Sequence, residues 1–216
     1  MKKSILSIVL LLTLCFCGTA QADSDYEYTV KDNKVTITKY NGYEWDKTIE
    51  ELIIPNKING MKVVGVKKGA FNDIFGAMII KNVVCSDYMT KVNMKSFAPL
   101  FVDGITLGKY TKSFVQAADY RGEITELKKI KLPKKAKYLK MKKGGVYSKN
   151  GKTLFAVPAL KKGTFKIAKG TKKISDYAFY CSRLDKVVVP KSVKKISKTA
   201  FKGFGIFGKG KILKLY

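Results

Sequence analysis

The chain has 216 residues, of which 43 are Lys or Arg, 16 are Asp or Glu, 4 are Cys and none is His. The absence of histidine excludes a Ser-His or Cys-His catalytic pair and a His-ligated metal centre. A formal charge of +27 predicts a surface that attracts anions. Because 46% of the residues are hydrophobic and 12% are aromatic, the chain is not a disordered basic tail. The composition therefore predicts a folded, strongly cationic protein.

The first 22 residues have the pattern of a secretory signal peptide. Lys2 and Lys3 precede an apolar run from Ile5 to Phe16, and Ala20-Gln21-Ala22 supplies small residues before a polar sequence begins. The apolar run is too short for a transmembrane helix, and no later segment is long enough for one. We expect cleavage after Ala22 and export to the cell surface or the medium. A retained anchor or a lipid anchor on a cysteine of this segment fits the pattern less well.

Residues 23–48 are expected to form an N-terminal capping hairpin and a linker. Tyr28–Val30 and Val35–Thr38 have the composition of strands, and Asp32-Asn33 between them is suited to a tight turn. The linker contains an aromatic cluster of Tyr40, Tyr43 and Trp45. These side chains either pack the cap onto the next unit or offer contact area to a partner.

Residues 49–216 contain an internal repeat with a period near 22 residues. Each copy begins with a short alternating strand, continues through a loop and ends at Ala-Phe or Ser-Phe in an expected short helical turn. One copy cannot bury its own apolar face, so stacked copies are expected, with strands side by side and about six coils in total. The copies are Ile49–Phe71, Ile80–Phe97, Val102–Phe114, a segment opening at Leu127, Thr164–Phe179 and Leu184–Phe201.

Two further β elements are expected in this region. Residues 145–158 read as an inserted hairpin, in which Asn150-Gly151 would form a two-residue type I′ turn. The strand from Ile212 to Tyr216 would cover the open end of the last coil.

The best copies, Leu184–Phe201 and Thr164–Phe179, resemble the BspA-type leucine-rich repeat family. Residues 145–158 are similar to the hairpin inserted between repeats in that family, and Tyr28–Thr38 is similar to its N-terminal hairpin. The resemblance implies a β-rich α/β leucine-rich-repeat solenoid with short parallel strands on one face, loops and short helical turns on the other, and β-hairpin caps. It also implies a bacterial surface or secreted protein that functions in adhesion and protein–protein interaction.

Two cysteines, Cys85 and Cys181, lie outside the signal segment. They fall in coils that are about three strand spacings apart, or roughly 14 Å. Since a disulfide requires Cα atoms within about 7 Å, we expect both thiols to be free and buried.

The sequence gives little support for an enzyme. The close acidic pairs, Glu50-Glu51 and Glu123/Glu126, do not have the arrangement of a general acid and base, and no phosphate-binding loop or nucleophile elbow is present. We therefore expect a non-enzymatic monomer without catalytic residues, cofactor, metal ion or small-molecule substrate.

Lysine is the unusual feature of this chain, with nine lysines between Lys128 and Lys143 and six between Lys186 and Lys202. If Ile130, Phe165 and Val187 point inward, the alternation of a strand turns the neighbouring lysines outward. Stacked coils would then form a lysine ladder that binds a linear polyanion, or the lysines serve only solubility. The candidate binding residues are Lys128, Lys129, Lys131, Lys166, Lys186 and Lys214.

These features predict a secreted or surface-bound binding and adhesion module. Its partner would be an extracellular protein, such as a host matrix protein, or an anionic polymer, such as wall teichoic acid. The alternative is a structural component that its charge retains in the cell envelope without a specific partner.

Overall fold

The computed structural model describes residues 25–42, 48–71, 79–98, 100–116, 119–120, 123–124, 126–204 and 210–214. The expected signal peptide, Tyr43 and Trp45 lie outside these ranges. The regular structure within them is almost entirely β, and one 3₁₀ turn spans Met94–Phe97. The first strands are β1 (Tyr26–Lys31), β2 (Lys34–Tyr40), β3 (Ile49–Ile53), β4 (Lys57–Ile58), β5 (Met61–Val66), β6 (Ile79–Val84), β7 (Lys91–Asn93), β8 (Phe101–Val102), β9 (Gly104–Thr106) and β10 (Ser113–Val115). The others are β11 (Asp119–Tyr120), β12 (Glu123–Ile124), β13 (Lys129–Lys131), β14 (Leu139–Lys142), β15 (Gly145–Ser148), β16 (Thr153–Ala156), β17 (Thr164–Lys166), β18 (Lys173–Ile174), β19 (Lys186–Val189), β20 (Lys195–Ile196) and β21 (Lys211–Lys214).

The chain winds into a β-solenoid of about five turns, and not the six coils expected from the sequence. One face consists of two parallel sheets, with strand orders β3-β6-β9-β13 and β17-β19-β21. Each of the five steps between hydrogen-bonded neighbours is one complete turn of the chain. Among the described residues, β13 pairs only with β9 and β17 only with β19, so this face is divided into two sheets.

The strands alternate as the sequence predicts. Ile130 lies buried between exposed Lys129 and Lys131, and Phe165 lies buried between exposed Thr164 and Lys166. Val187, the equivalent residue of the next turn, is also buried. The inward positions chosen from the alternation are therefore confirmed.

A second face of the solenoid carries shorter strands. β7 pairs with β10, and β16, β18 and β20 form a parallel set in which Leu154, Ile174 and Ile196 are opposite one another. The Ala-Phe segments that follow these strands form turns closed by bonds such as Ala178 N–H to Ser175 O and Ala200 N–H to Ser197 O. The described residues thus contain little helix, and the short helical turns expected at Ala-Phe are not seen as helices.

One hairpin region has the turn expected from the sequence and a second region has a different one. Asp32 and Asn33 both have positive φ and join β1 to β2, as their side chains favour. Asn150-Gly151 lies in a four-residue loop between β15 and β16 in place of the expected two-residue turn. The two-residue turn of this region is at Lys143-Gly144, where both residues have positive φ and connect β14 to β15.

The buried side chains form two large clusters that meet at the β14–β16 unit. The first contains Val35, Phe71, Phe97 and Phe114 and extends to Val146 and Ala156. The second contains Tyr147, Leu154, Phe165, Phe179 and Ala200. We call the residues up to 139 the N-terminal half and residues 157–204 the C-terminal half.

Candidate functional site

The sheet-face lysines predicted from the sequence are largely in the expected orientation. Lys128, Lys129, Lys131 and Lys166 are exposed, and Lys186 is half-buried. Lys214 belongs to β21, but its side chain lies outside the described part of the structure.

The strand register does not place any two of these six lysines directly opposite each other. Lys129 and Lys131 are opposite Gly104 and Thr106, and Lys166 is opposite Val188. Lys214 is opposite Val189, and the partners of Lys186 are Thr164 and Lys211. Because the face is also divided between β13 and β17, the expected continuous ladder is not formed by these residues.

Asp103 modifies the charge at one end of this set. Its carboxylate lies 2.8 Å from the Lys128 ammonium and 3.9 Å from that of Lys81. Both lysine side chains are more than two-fifths exposed, so solvent screens these ion pairs and they contribute little to stability. Lys128 is therefore a weaker candidate for anion binding than the other exposed lysines of this face.

The structure stacks a different set of lysines, which the sequence argument did not select. The backbone N–H of Lys172 donates to the carbonyl of Lys152 at 2.7 Å, and that of Lys194 donates to the carbonyl of Lys172 at 2.9 Å. In the adjacent position Lys173 pairs directly with Lys195. All five side chains are exposed. We call Lys152, Lys172 and Lys194, with Lys173 and Lys195, the lysine columns.

The lysine columns bring several positive charges close together. At the strand spacing of about 4.8 Å, two ammonium groups in water repel by about 1 kcal/mol before salt screening. An anionic group placed between two turns would remove this repulsion. The signal was present in the sequence, since Lys-Lys-Ile-Ser occurs at 172–175 and again at 194–197.

A carboxylate lies beside the columns but is held by hydroxyl groups. Asp176 accepts hydrogen bonds from Ser197 and, at 2.8 Å, from Thr199, both in the next turn. These bonds, with a smaller contribution from Lys173, hold the pKa of Asp176 below its usual value of 3.8. Asp176 therefore stays ionised at neutral pH and is engaged with the neighbouring turn.

The two cysteines and Tyr40 are buried and belong to the packing of the protein. Cys85 and Cys181 are free and buried, which confirms the expectation, and burial raises the pKa of their thiols to about 12 and about 11. Tyr40 is buried between Tyr26 and Phe71, with ring centroids 5.3 and 5.5 Å away. Tyr40 thus packs in the core, which agrees with a packing role for this member of the aromatic cluster.

Of the acidic pairs in the sequence, the side chains of Glu50, Glu51 and Glu126 are described, and that of Glu123 lies outside the described part of the structure. Glu50 and Glu51 are both exposed, and Glu126 binds the Arg183 guanidinium at 2.9 Å. The described residues contain no group of three or more His, Cys, Asp or Glu placed to hold a metal ion. They also contain no helix with the length and hydropathy needed to cross a membrane.

Comparison with known proteins identifies the repeat. Residues 146–207 match a family model described as "BspA type Leucine rich repeat region (6 copies)". A search of curated protein sequences gives no significant match.

Three solved structures are similar to this chain. The pneumococcal vaccine antigen PcpA is 15% identical, with 88% of this chain and 69% of that chain covered and a TM-score of 0.36. A leucine-rich repeat protein from Eubacterium ventriosum is 14% identical, with coverages of 86% and 68% and a TM-score of 0.41. A leucine rich cell surface protein from Faecalibacterium prausnitzii is 16% identical, with coverages of 92% and 77% and a TM-score of 0.32.

Proposed function

We propose that this chain, whose residues 146–207 match the BspA-type leucine-rich repeat model, is a non-enzymatic binding module for an anionic macromolecule. The leucine-rich repeat character supports a binding or structural role, because stacked turns present a wide, shallow surface in place of a closed pocket. The signal-peptide pattern of residues 1–22 supports a place outside the cytoplasm, at the cell surface or in the medium.

The lysine columns are the observation that carries this proposal. Their five exposed lysines stand on backbone positions that repeat from turn to turn of the solenoid, on a chain of net charge +27. A linear polyanion that runs along the solenoid axis would meet these charges at each of the three turns that carry the columns. An acidic surface of an extracellular matrix protein or a wall teichoic acid has the required charge.

The sheet-face lysines are a separate group of exposed charges, which the proposed surface does not include. Lys129, Lys131 and Lys166 point outward from β13 and β17, so they offer isolated charges beside the place where the face divides. The alternative role, a structural component retained by charge alone, makes no distinction between these lysines and the columns.

Binding of the purified chain to heparin, wall teichoic acid and a matrix protein, measured over a series of salt concentrations, tests the proposal. One variant carries Lys→Gln changes at Lys172, Lys173, Lys194 and Lys195, and the matched control carries them at Lys128, Lys129, Lys131 and Lys166. Each removes four positive charges, so any difference between them reports position and not net charge.

We expect binding that persists at physiological salt and weakens more in the first variant than in the control. Equal weakening of both variants, with all binding lost in moderate salt, would favour charge retention without a specific partner. If the unmodified chain binds none of these ligands even at low salt, the proposal is wrong.

A further inference from the structure

The N-terminal half carries a row of interleaved tyrosine and lysine side chains that the proposed function does not use. The rings of Tyr88 and Tyr110 stack with centroids 5.8 Å apart at an interplanar angle of 19°. The Lys62 ammonium lies 5.0 Å from the centre of the Tyr88 ring, and Lys109 lies 5.1 Å from that of Tyr110. These contacts are within the range of cation–π attraction.

The row continues into the next turn. Lys137 lies 6.0 Å from the Tyr110 ring and 5.7 Å from the Tyr138 ring, and Lys112 lies 5.0 Å from the Tyr138 ring. Its members come from four successive turns, so the row spans three strand spacings, or roughly 14 Å. We call Lys62, Tyr88, Lys109, Tyr110, Lys112, Lys137 and Tyr138 the tyrosine–lysine ladder.

Backbone contacts between the loops fix the ladder. The Asp87 carboxylate accepts the backbone N–H of Lys109 at 2.8 Å, and the Asp87 carbonyl accepts that of Tyr110 at 3.0 Å. The Lys137 N–H donates to the Lys109 carbonyl at 2.9 Å. Each loop is therefore held one turn from the next, and the side chains that project from the loops are aligned.

Gly108 permits this close approach. A Cβ at this position would lie 2.8 Å from the Asp87 Cα and would collide with the Ser86 carbonyl oxygen. Only a residue without a side chain lets the two loops approach closely enough for Tyr88 and Tyr110 to stack.

The exposed groups of the ladder determine what it can bind. Lys62, Lys112 and Lys137 are exposed, and the three tyrosines are half-buried. A cation–π contact holds an ammonium group in place while leaving its N–H donors available, so less side-chain entropy is lost when an anion binds. Within the described part of the chain, the hydroxyls of Tyr88, Tyr110 and Tyr138 make no hydrogen bond with protein groups.

The ring faces are already covered. The Tyr88 ring contacts Lys62 and Tyr110, and the Tyr138 ring contacts Lys112 and Lys137. A nucleic-acid base would have to displace these groups before it could stack, and stacking is the usual source of affinity for single strands. The ladder instead presents ammonium groups and phenol hydroxyls in alternation, which suits a polymer that carries both acidic groups and hydroxyl groups.

We propose that the tyrosine–lysine ladder is a binding site for a linear acidic polysaccharide, with lysines bonding its sulfate or carboxylate groups and tyrosine hydroxyls bonding its sugar hydroxyls. This inference rests on the proposed function, since it assigns one class of polyanion to a defined site. It differs from the lysine columns, where charge alone is displayed.

Calorimetric titration with heparin, with fully desulfated heparin and with polyuridylic acid tests the site. The desulfated probe distinguishes carboxylate from sulfate recognition, and the polyuridylic acid tests nucleic-acid binding. A first variant carries Lys→Gln changes at Lys62, Lys109, Lys112 and Lys137. The matched control carries the same change at Lys128, Lys129, Lys131 and Lys166, and so loses the same charge.

Changes at the tyrosines separate the ladder from charge alone. The triple change Tyr88→Leu, Tyr110→Leu and Tyr138→Leu keeps the net charge, and the triple change to Phe keeps the rings and removes only the hydroxyls. The Phe variant stays informative if the Leu variant does not fold, because it preserves the packing. Circular dichroism and the melting temperature of each variant establish that the fold is intact.

We expect the ladder Lys→Gln variant to lose at least about 100-fold in affinity for heparin. The Phe variant should lose roughly two- to tenfold for each hydroxyl that bonds the sugar, and the control should lose less than the ladder variant.

Two results would overturn the inference while leaving the proposed function intact. The first is equal loss in the ladder variant and the control, with no effect of the tyrosine changes. The second is tighter binding of polyuridylic acid than of either heparin probe, with the tyrosine changes weakening it. Absence of binding to any of these polymers by the unmodified chain would instead reject the proposed function itself.

Discussion

The two halves of the solenoid place different side chains at the same position of one repeat. Tyr110 precedes Thr111, whose N–H bonds the Gly108 carbonyl, just as Gly170 precedes Thr171, whose N–H bonds the Ala168 carbonyl. In the N-terminal half this position stacks a tyrosine on the preceding turn. In the C-terminal half Gly170 instead donates its N–H to the Ser192 hydroxyl at 3.2 Å.

The lysines of the two halves are consequently held in different ways. Lys109 and Lys137 lie against tyrosine rings, whereas Lys172 and Lys194 are stacked on each other without an aromatic group in the same position. The backbone repeat thus fixes the spacing of the charges, and the loop residue decides whether they lie against an aromatic ring. Four changes test this division, from the largest expected effect to the smallest.

Removal of an aromatic ring from the core should destabilise one half of the solenoid more than the other. Phe179 is fully buried and its ring contacts those of Phe165, Phe201 and Phe204 at 5.8, 4.8 and 6.2 Å. Phe179→Ala should cost about 3–5 kcal/mol of unfolding free energy, because it removes this packing and leaves a cavity. Urea unfolding followed by circular dichroism measures the loss.

The two buried cysteines report on the two halves separately, since Cys85 lies in the N-terminal half and Cys181 in the C-terminal half. Phe179→Ala should accelerate thiol labelling at Cys181 more than at Cys85, and the matched change Phe114→Ala in the N-terminal core should do the reverse. Equal acceleration at both thiols would show that the chain opens as one unit, and the two halves would not be separable.

Gln116 connects the halves through polar contacts, in addition to the Glu126–Arg183 ion pair. Gln116 is buried at the end of β10, and its amide group donates to the carbonyls of Tyr177, Ala178 and Val157 at 3.0, 3.1 and 3.2 Å. Gln116→Met keeps the length of the side chain but removes the amide donor from these carbonyls, of which that of Ala178 still accepts the Val157 N–H. The change should cost about 1–3 kcal/mol of unfolding free energy.

The same change should also uncouple the halves. Urea unfolding can be followed by labelling of Cys85 in one half and of Cys181 in the other. In the Gln116→Met variant, we expect the midpoints of these two transitions to lie further apart than in the unmodified chain. A single shared transition in the variant would show that Gln116 adds stability but does not couple the halves.

A side chain at Gly108 should disturb the ladder more than the columns. Gly108→Ala forces the Tyr88 and Tyr110 loops apart, and such overpacking costs about 1–3 kcal/mol. Heparin affinity should fall although no charge and no ladder residue has changed.

Gly163→Ala is the matched control in the C-terminal half, where no atom lies within 4 Å of the added Cβ but a φ of +74° makes the backbone strained. Loss of affinity in the control alone would contradict the role given to Gly108.

Much of this architecture was predictable from local pattern. Ile130, Phe165 and Val187 were identified as inward positions from alternation alone, and the repeat was visible in Ala178-Phe179 and Ala200-Phe201. The division of the sheet between β13 and β17 was not predictable, because the pairing of two strands depends on the segment of chain between them. The three-stranded β14–β16 unit occupies that interval, and only its hairpin was anticipated.

The candidate sites were less predictable than the fold. The six sheet-face lysines were chosen from alternation within strands, which says nothing about which residues of neighbouring turns are opposite each other. The ladder was missed because Tyr88 and Tyr110 lie in the degenerate copies, where the repeat pattern is weak. Their stacking depends on Gly108 and Asp87, and no local propensity reveals such a contact between loops.

The smallest expected effect concerns Asp176, which joins two turns of the C-terminal half through Ser197 and Thr199. Since the folded state lowers its pKa, its contribution to stability is complete above the unfolded value of 3.8 and is lost as the pH falls through the folded value. Asp176→Asn should therefore lower the melting temperature at neutral pH, and the difference from the unmodified chain should narrow as the solution is acidified.

Lys173→Gln is the control for this prediction, because the Lys173 charge is the smallest of the causes that lower the pKa of Asp176. It should leave most of the pH dependence in place. Since Asp176 is exposed, the change in melting temperature stays small. The prediction is contradicted if the difference in melting temperature between Asp176→Asn and the unmodified chain is constant from neutral to acidic pH. A pH-dependent difference would show that hydroxyl groups of the next turn hold this carboxylate as an anion beside the lysine columns. The columns then keep a fixed negative neighbour, whereas the lysines of the tyrosine–lysine ladder lie against aromatic rings.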